Sequence, residues 1–356
     1  MDSSSRLRVA ITPGNFQGKP HFLARKRGDN FNESVNNYVL SPRFGISTQI
    51  DEADIALFPF DLSDVLGRLD PSPDALTEVI DSNRKRGLRT ACVMWHDYSQ
   101  PLTIGQPQAI ILRSSMVRGL NYTEEFPIPI NFTSIDLSLY SEPDCVYSSR
   151  PRIGFMGSVP QIATPAQLQR PEYDTKNAFL GYEKSETLIN PIVRTPINIG
   201  TVIRNRGLTT LRKSDIVDSD LVTRDAYFGF YSVDERAKMR LEYVDHMMRN
   251  DYIFCPRGAG NYSTRLFETV AAGRIPILID TDLVMPFADV IPWQEIAVWV
   301  PISEMDRLDE HVLAFHARLG EGGFRALQTR LRNIFTMYLS RDGVDRYLES
   351  FLLERL

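Results

Sequence analysis

The sequence has little of what disulfide frameworks and metal centres are made from. Its 356 residues include three cysteines, Cys92, Cys145 and Cys255, with no C-x-x-C spacing. That excludes a disulfide scaffold and a cysteine-based zinc site. Cys92 and Cys255 stand inside apolar runs and read as buried thiols. Among the five histidines, His21, His246, His311 and His316 show no metal-ligand pairing and read as surface or helix-face residues. Charge of one sign is also lacking. A net charge of -5 and a pI near 5.7 give no global pull toward nucleic acid or an anionic membrane. Any anion site must therefore be a local gathering of Arg and backbone N–H groups. No apolar stretch reaches the length of a membrane span, and Met1-Asp-Ser-Ser-Ser-Arg-Leu-Arg has no signal-peptide core. A cytoplasmic protein is expected, with room for peripheral membrane association only.

What is present is an ordinary globular composition, 43% hydrophobic and 24% charged, on a chain comfortable for two domains. Short apolar runs alternate with helical patterns, which reads as α/β. Leu7–Ile11, Ile55–Phe60, Thr90–Trp95 and Ala109–Leu112 are expected strands of a first domain, residues 1–145. Between them, Ser72-Pro73-Asp74 opens a helix, with Ser as cap and Pro at the first helical position, and Gly87 ends it. A second domain, 146–338, begins at the strand Arg152–Met156. It includes a Pro-rich excursion over 160–191 that reads as a lid or acceptor loop. An amphipathic helix over 234–250 feeds the strand Tyr252–Cys255. The last segment, 339–356, is a separate helix.

One segment concentrates chemistry: the strand Tyr252–Pro256, the loop Arg257-Gly-Ala-Gly-Asn261, and a helix from Ser263 to Ala272 closed by Gly273. Strand, glycine loop and helix N-terminus together hold phosphates. Gly258 and Gly260 let backbone approach an anion, Ser263 is placed to cap, and Arg257 and Arg265 add charge suited to a diphosphate. Glu268 lies three residues beyond Arg265, where a carboxylate can accept ribose hydroxyls; the bland alternative is an exposed Arg265–Glu268 pair. The same glycines nearly make a dinucleotide fingerprint, Gly258-x-Gly260-x-x-Ser263, with Asp280 at the distance of a ribose carboxylate. Ser at the third position and two flanking arginines count against that NAD-linked reading.

The run Tyr252-Ile-Phe-Cys-Pro-Arg-Gly258, then Ser263-Thr-Arg-Leu-Phe-Glu268, Ala272-Gly-Arg-Ile-Pro-Ile-Leu-Ile279, Pro286-Phe-Ala-Asp289 and Trp293 resembles the exostosin family of glycosyltransferases, family 47. Weaker echoes are Ala53–Pro59, His96-Asp97, Ile111-Leu-Arg-Ser114 and Ile153-Gly-Phe-Met-Gly157. The resemblance implies a GT-B fold: two Rossmann-like domains facing across a cleft, with the C-terminal helix returning to the first. It implies inverting transfer from a nucleoside diphosphate sugar, usually a UDP-sugar, to a glycan or glycolipid acceptor. The missing anchor suggests a bacterial-type soluble member. By matching positions, Arg257, Arg265 and Glu268 carry over as donor contacts, with Arg204 as a further candidate.

Inverting transfer needs a base for the acceptor hydroxyl and positive charge for the departing diphosphate. The arginines and a helix N-terminus cover the charge, so no metal or other cofactor is expected. The triplets Asp218-Ser-Asp220 and Asp280-Thr-Asp282 sit beside polar residues and read as turns. Ligands of open α/β sheets gather at strand carboxyl ends, which nominates Asp61, His96, Asp97 and Arg113. Asp97 or His96 is the expected base, and Asp61 and Arg113 are expected cleft contacts. A turn-capping Asp97 and an ordinary polar His96 are the bland alternative. Trp293 and Trp299 read as packing residues, with sugar stacking open to either. A non-catalytic sugar-nucleotide-binding subunit of a synthase stands as the second reading.

Overall fold

The computed structural model describes residues 7–13, 24–26, 38–40, 43–47, 49–62, 73–97, 99–102, 107–129, 138, 140, 147–159, 199–224, 233–258 and 260–356. The excursion expected over 160–191, the Ser72 cap, His21 and Cys145 lie outside these. The described residues divide into two units, one comprising those up to Pro129 together with Arg341–Leu356, the other running from 138 to Ser340.

In the first unit the strands are β1 (Arg8–Ile11), β2 (Ala24–Lys26), β3 (Tyr38–Leu40), β4 (Gly45–Ile46), β5 (Ile55–Asp61), β6 (Thr90–Met94), β7 (Ala109–Arg113) and β8 (Glu125–Pro127). Six of them form a parallel sheet in the order β4-β1-β5-β6-β7-β8, and β2 and β3 make a separate antiparallel ribbon. Strands β6 and β7 are buried at every residue, as a parallel sheet covered on both faces requires. Helix α1 (Pro73–Lys85) packs Leu76 and Ile80 into a core with Phe58, Phe60, Cys92, Met94 and Ile111. Gly87, at φ 76°, turns the chain out of that helix where a Cβ would be strained.

The second unit runs β9 (Arg152–Ser158), α2 (Ile199–Lys213), β10 (Asp218–Arg224), α3 (Val233–Met248), β11 (Tyr252–Phe254), α4 (Thr264–Ala271), β12 (Ile275–Asp280), β13 (Val298–Pro301) and α5 (Leu308–Ile334). Its sheet is parallel throughout, in the order β10-β9-β11-β12-β13. The triplet Asp218-Ser-Asp220 is therefore not a turn: it opens the edge strand β10, paired along its whole length with β9. An edge strand needs no continuous apolar run and is safer polar. The triplet Asp280-Thr-Asp282 does turn, with Asp282 at φ 57° and its amide donating to Asp280 Oδ1 at 3.1 Å.

Of the histidines expected on the surface or on a helix face, His246 and His316 lie on buried helix faces. His246 shares Nε2 with the Asp220 carbonyl at 2.9 Å. His316 joins the Tyr252 hydroxyl (2.8 Å) and the Ser148 carbonyl (2.7 Å) and stacks on Tyr147. Trp293 and Trp299 do pack, donating to the carbonyls of Pro286 and Trp293. Helix α6 (Arg341–Leu353) belongs to the first unit, where Phe351 meets Phe126 edge-on at 4.7 Å and the Arg355 carbonyl accepts from Arg89 at 2.8 Å. Among the described residues no helix is long and apolar enough to cross a membrane.

Candidate functional site

In the second sheet the chain moves from β9 outward to β10, then returns to the other side of β9 as β11 and continues outward to β12. The connections leaving β9 and β11 thus diverge, and the crevice beyond their carboxyl ends is where an open α/β sheet binds ligand. Arg265, in the first turn of α4, lies across this point. Its Nη2 donates to the Met156 carbonyl of β9 at 2.9 Å, and its Nη1 reaches the Phe254 carbonyl of β11 at 3.5 Å. Arg204, from α2, donates to the Ser158 carbonyl at the end of β9. Both guanidiniums lie over the Phe155 ring, at 4.4 Å for Arg265 and 5.9 Å for Arg204.

This is a concentration of like charge. Every partner of either guanidinium among the described residues is a carbonyl or that ring, and each Nε is buried without a hydrogen-bond partner. Burial and the charge of Arg265 push the Arg204 pKa down to about 10. Two cations brought together without a carboxylate are stabilised by an anion.

The loop between β11 and α4 is held from inside. Arg257, 3% exposed, donates from Nε to the Gly260 carbonyl at 3.2 Å, and the Gly258 amide donates to the Tyr262 carbonyl at 2.9 Å. Asn261, also buried, donates to the carbonyls of Thr281 and Asp282 and accepts the Thr281 hydroxyl at 2.6 Å, tying the loop to the end of β12. These residues were expected to touch the donor; the hydrogen bonds described here fasten the loop to itself and to the end of β12. Ser263 occupies the cap position with extended φ and ψ, yet its side chain makes no cap hydrogen bond. The expected side-chain cap is not made, so Ser263 leaves the first N–H groups of α4 to other partners. Opposite, the start of α2 lies against the carbonyls of Arg257 and Gly258, so close that a Cβ on Gly200 would overlap them.

Glu268 makes contacts that the sequence did not announce. Rather than pairing with Arg265, its Oε1 accepts from Arg240 Nη1 at 2.5 Å and its Oε2 from the Tyr243 hydroxyl at 2.8 Å. Arg240 also donates to the Tyr140 hydroxyl at 3.0 Å. Sequence reasoning missed Arg240 and Tyr243. Their i, i+3 spacing on α3 was visible, but nothing in it points to a carboxylate on another helix.

In the first unit, Asp61 ends β5 and accepts the Trp95 amide at 3.2 and 3.1 Å, bracing the end of β6. His96 and Asp97 follow on a half-exposed loop. Arg113 is not a cleft contact: it is wholly buried, paired with Glu125 at 2.5 Å and donating to the Gln100 carbonyl at 2.8 Å. Burial raises the Glu125 pKa, against the pull of Arg113. The pair belongs to a set of fastenings on the loop after β6. Ser114 donates to the His96 carbonyl, Tyr122 to the Ser99 carbonyl, the hydroxyls of Ser99 and Ser115 meet at 2.5 Å, and Leu102 donates to Glu125. Cys92 and Cys255 are buried as expected, and burial pushes both thiols up to about 12.

Residues 206–314 match the model of the exostosin GT47 domain. A 67-residue stretch is 46% identical to "Probable glucuronosyltransferase Os02g0520750" of Oryza sativa subsp. japonica, covering 19% of this chain and 15% of that protein. "Probable beta-1,4-xylosyltransferase IRX10" of Arabidopsis thaliana is 45% identical over 67 residues, covering 19% and 16%. The match is thus confined to a small part of these plant relatives, and a bacterial-type form finds no support in them. A solved structure, "Crystal Structure of TarM", superposes on 83% of this chain and 54% of its own at 11% identity and a TM-score of 0.34, too loose to identify a fold.

Proposed function

We propose that this chain is an inverting glycosyltransferase that grips the diphosphate of a sugar nucleotide, a UDP-sugar by preference, with Arg204, Arg265 and the N-terminus of α4. The observation that carries the proposal is the pair of guanidiniums over Phe155, placed at the switch point of a parallel sheet and held, among the described residues, by carbonyls with no carboxylate on them. The family match over 206–314 includes Arg265 and α4, and the matched plant proteins bear names of sugar transferases.

In the transfer, an acceptor hydroxyl attacks the anomeric carbon as the bond from that carbon to the diphosphate oxygen breaks. The hydroxyl proton passes to the base, and the leaving diphosphate keeps the electron pair. Arg204 and Arg265 take up the charge that develops there, which makes a metal unnecessary. His96 or Asp97 is the proposed base, and a glycan or glycolipid hydroxyl the acceptor, in a cytoplasmic setting.

The test is release of UDP from a panel of UDP-glucose, UDP-glucuronate and UDP-xylose with and without EDTA, for the wild type and Arg265→Met. Turnover that survives EDTA and falls at least about tenfold in Arg265→Met is expected, since a charge-assisted contact to the leaving group is lost. Tight UDP binding without turnover on any donor would leave only a binding subunit. Stabilisation by NAD, and not by nucleoside diphosphates, would sink the proposal.

A further inference from the structure

We infer that Arg240 is a positioning residue of the anion site: by taking the Glu268 carboxylate, it keeps that carboxylate from quenching Arg265. The inference rests on the reading of Arg204 and Arg265 as a diphosphate grip.

Arg265 and Glu268 are three residues apart on α4, a spacing that ordinarily lets opposite charges pair along a helix face. Such a pair would place a carboxylate on the very guanidinium that the diphosphate needs. The structure prevents it from the neighbouring helix. Arg240 and Tyr243 of α3 occupy both oxygens of Glu268, and the Tyr140 hydroxyl, itself buried, steadies Arg240. Burial works against the Arg240 charge, yet Glu268 and the two phenols raise its pKa above the ordinary value. With Glu268 so engaged, Arg265 turns the other way, to the carbonyls of Met156 and Phe254. Helix α3 packs on β9, the strand that supplies the Met156 carbonyl, so the clamp and the grip share a wall.

The full-length protein is titrated calorimetrically with inorganic pyrophosphate, which has no ribose, and with UDP. The variants are Arg240→Met, Arg240→Lys, Glu268→Gln, Arg265→Met and the double variant Arg240→Met with Glu268→Gln. Arg240→Met is expected to weaken pyrophosphate roughly five- to tenfold, because Glu268 is released toward Arg265. Arg240→Lys and Glu268→Gln should bind nearly as the wild type, and the double variant should recover to within about twofold. An unchanged Arg240→Met, or a double variant as weak as Arg240→Met, overturns the inference. So does a Glu268→Gln that tightens binding by as much as Arg240→Met weakens it, since that is through-space charge alone. A loss seen with UDP and not with pyrophosphate puts the effect at the ribose and overturns it too. If Arg265→Met leaves pyrophosphate affinity unchanged, the diphosphate reading itself falls, and this inference with it.

Discussion

Two missing Cβ atoms keep the grip open. A Cβ on Gly157 would lie 2.6 Å from Arg265 Nη2, the far end of a flexible side chain. Gly157→Ala is therefore expected to leave the fold intact while pushing the guanidinium off the Met156 carbonyl, weakening pyrophosphate several-fold. A Cβ on Gly200 would overlap the carbonyls of Arg257 and Gly258, which are backbone and cannot swing aside. Gly200→Ala should cost about 1–3 kcal/mol as overpacking and loosen the loop as well. Thermal unfolding and pyrophosphate titration of both variants separate the two effects, and a Gly157→Ala that binds as the wild type would place the anion elsewhere. Only half of this was legible in the sequence. Gly258 and Gly260 announce a loop through their local pattern, and Arg265 stands out beside them. Gly157 shows only as the end of the echo Ile153-Gly-Phe-Met-Gly157, and its crowding, like that of Gly200, does not show, because the groups that crowd them come from distant parts of the chain. Glu268 was legible as a notable carboxylate, but its actual partners, Arg240 and Tyr243, sit on a helix whose pattern reads only as amphipathic.

Among the elements, those with strong local signals were readable: α1 by its Pro73 and Gly87, α4 by its glycine loop and Gly273, and the central strands by continuous apolar runs. Strand β10 was not, because it is an edge strand whose polar residues are taken up by groups from elsewhere in the unit: Asp218 by Arg150, Ser219 by the Leu211 carbonyl, and Asp220 by α3 and the turn after it. Asp220 accepts from Arg249 at 2.7 Å and from Asn250 at 3.0 Å, and His246 lies against it. Burial lowers the His246 pKa below 6.5, outweighing the pull of Asp220. The neutral imidazole is thus the form the folded unit favours, and its contribution is complete above pH 6.5 and lost as pH falls through the lowered folded value. Burial works against the Asp220 charge, but the bonds from Arg249 and Asn250 lower its pKa, which adds a loss in the same direction at still lower pH. The second unit should therefore unfold more easily on acidification below 6.5, and His246→Gln should flatten that limb of the stability profile. A wild type and variant with parallel pH profiles would remove His246 from this role. In the first unit, the buried Arg113–Glu125 pair holds the loop that carries His96 and Asp97. Glu125→Ala, which strands a buried charge, should cost about 3–5 kcal/mol, whereas Arg113→Met with Glu125→Leu should cost far less. Urea unfolding of the single and double variants decides this.

For the whole molecule, the order of the sequence and the order of the fold part company at the C-terminus. Helix α6 follows directly on the second unit in the chain, yet it belongs to the first. Val344, Leu348, Phe351 and Leu352 are buried, Phe351 rests on Phe126 of β8, and Asp342 pairs with Arg43 at 3.0 Å. Burial of side chains of this size is worth roughly 1.5–3 kcal/mol each, enough to decide whether a domain of marginal stability stays folded. A chain truncated after Ser340 would leave β8 without its ring contact and the Arg89 guanidinium without the Arg355 carbonyl. Hydrogen exchange read peptide by peptide should then show protection falling in β7 and β8, far from the cut in sequence. Peptides from β11, β12 and α4 should keep theirs, and the protein should still bind pyrophosphate, because Arg204 and Arg265 lie wholly in the second unit. Loss of protection confined to α5 and β13 would mean that the final helix stabilises the unit it follows in the chain, and the division at Ser340 would be wrong.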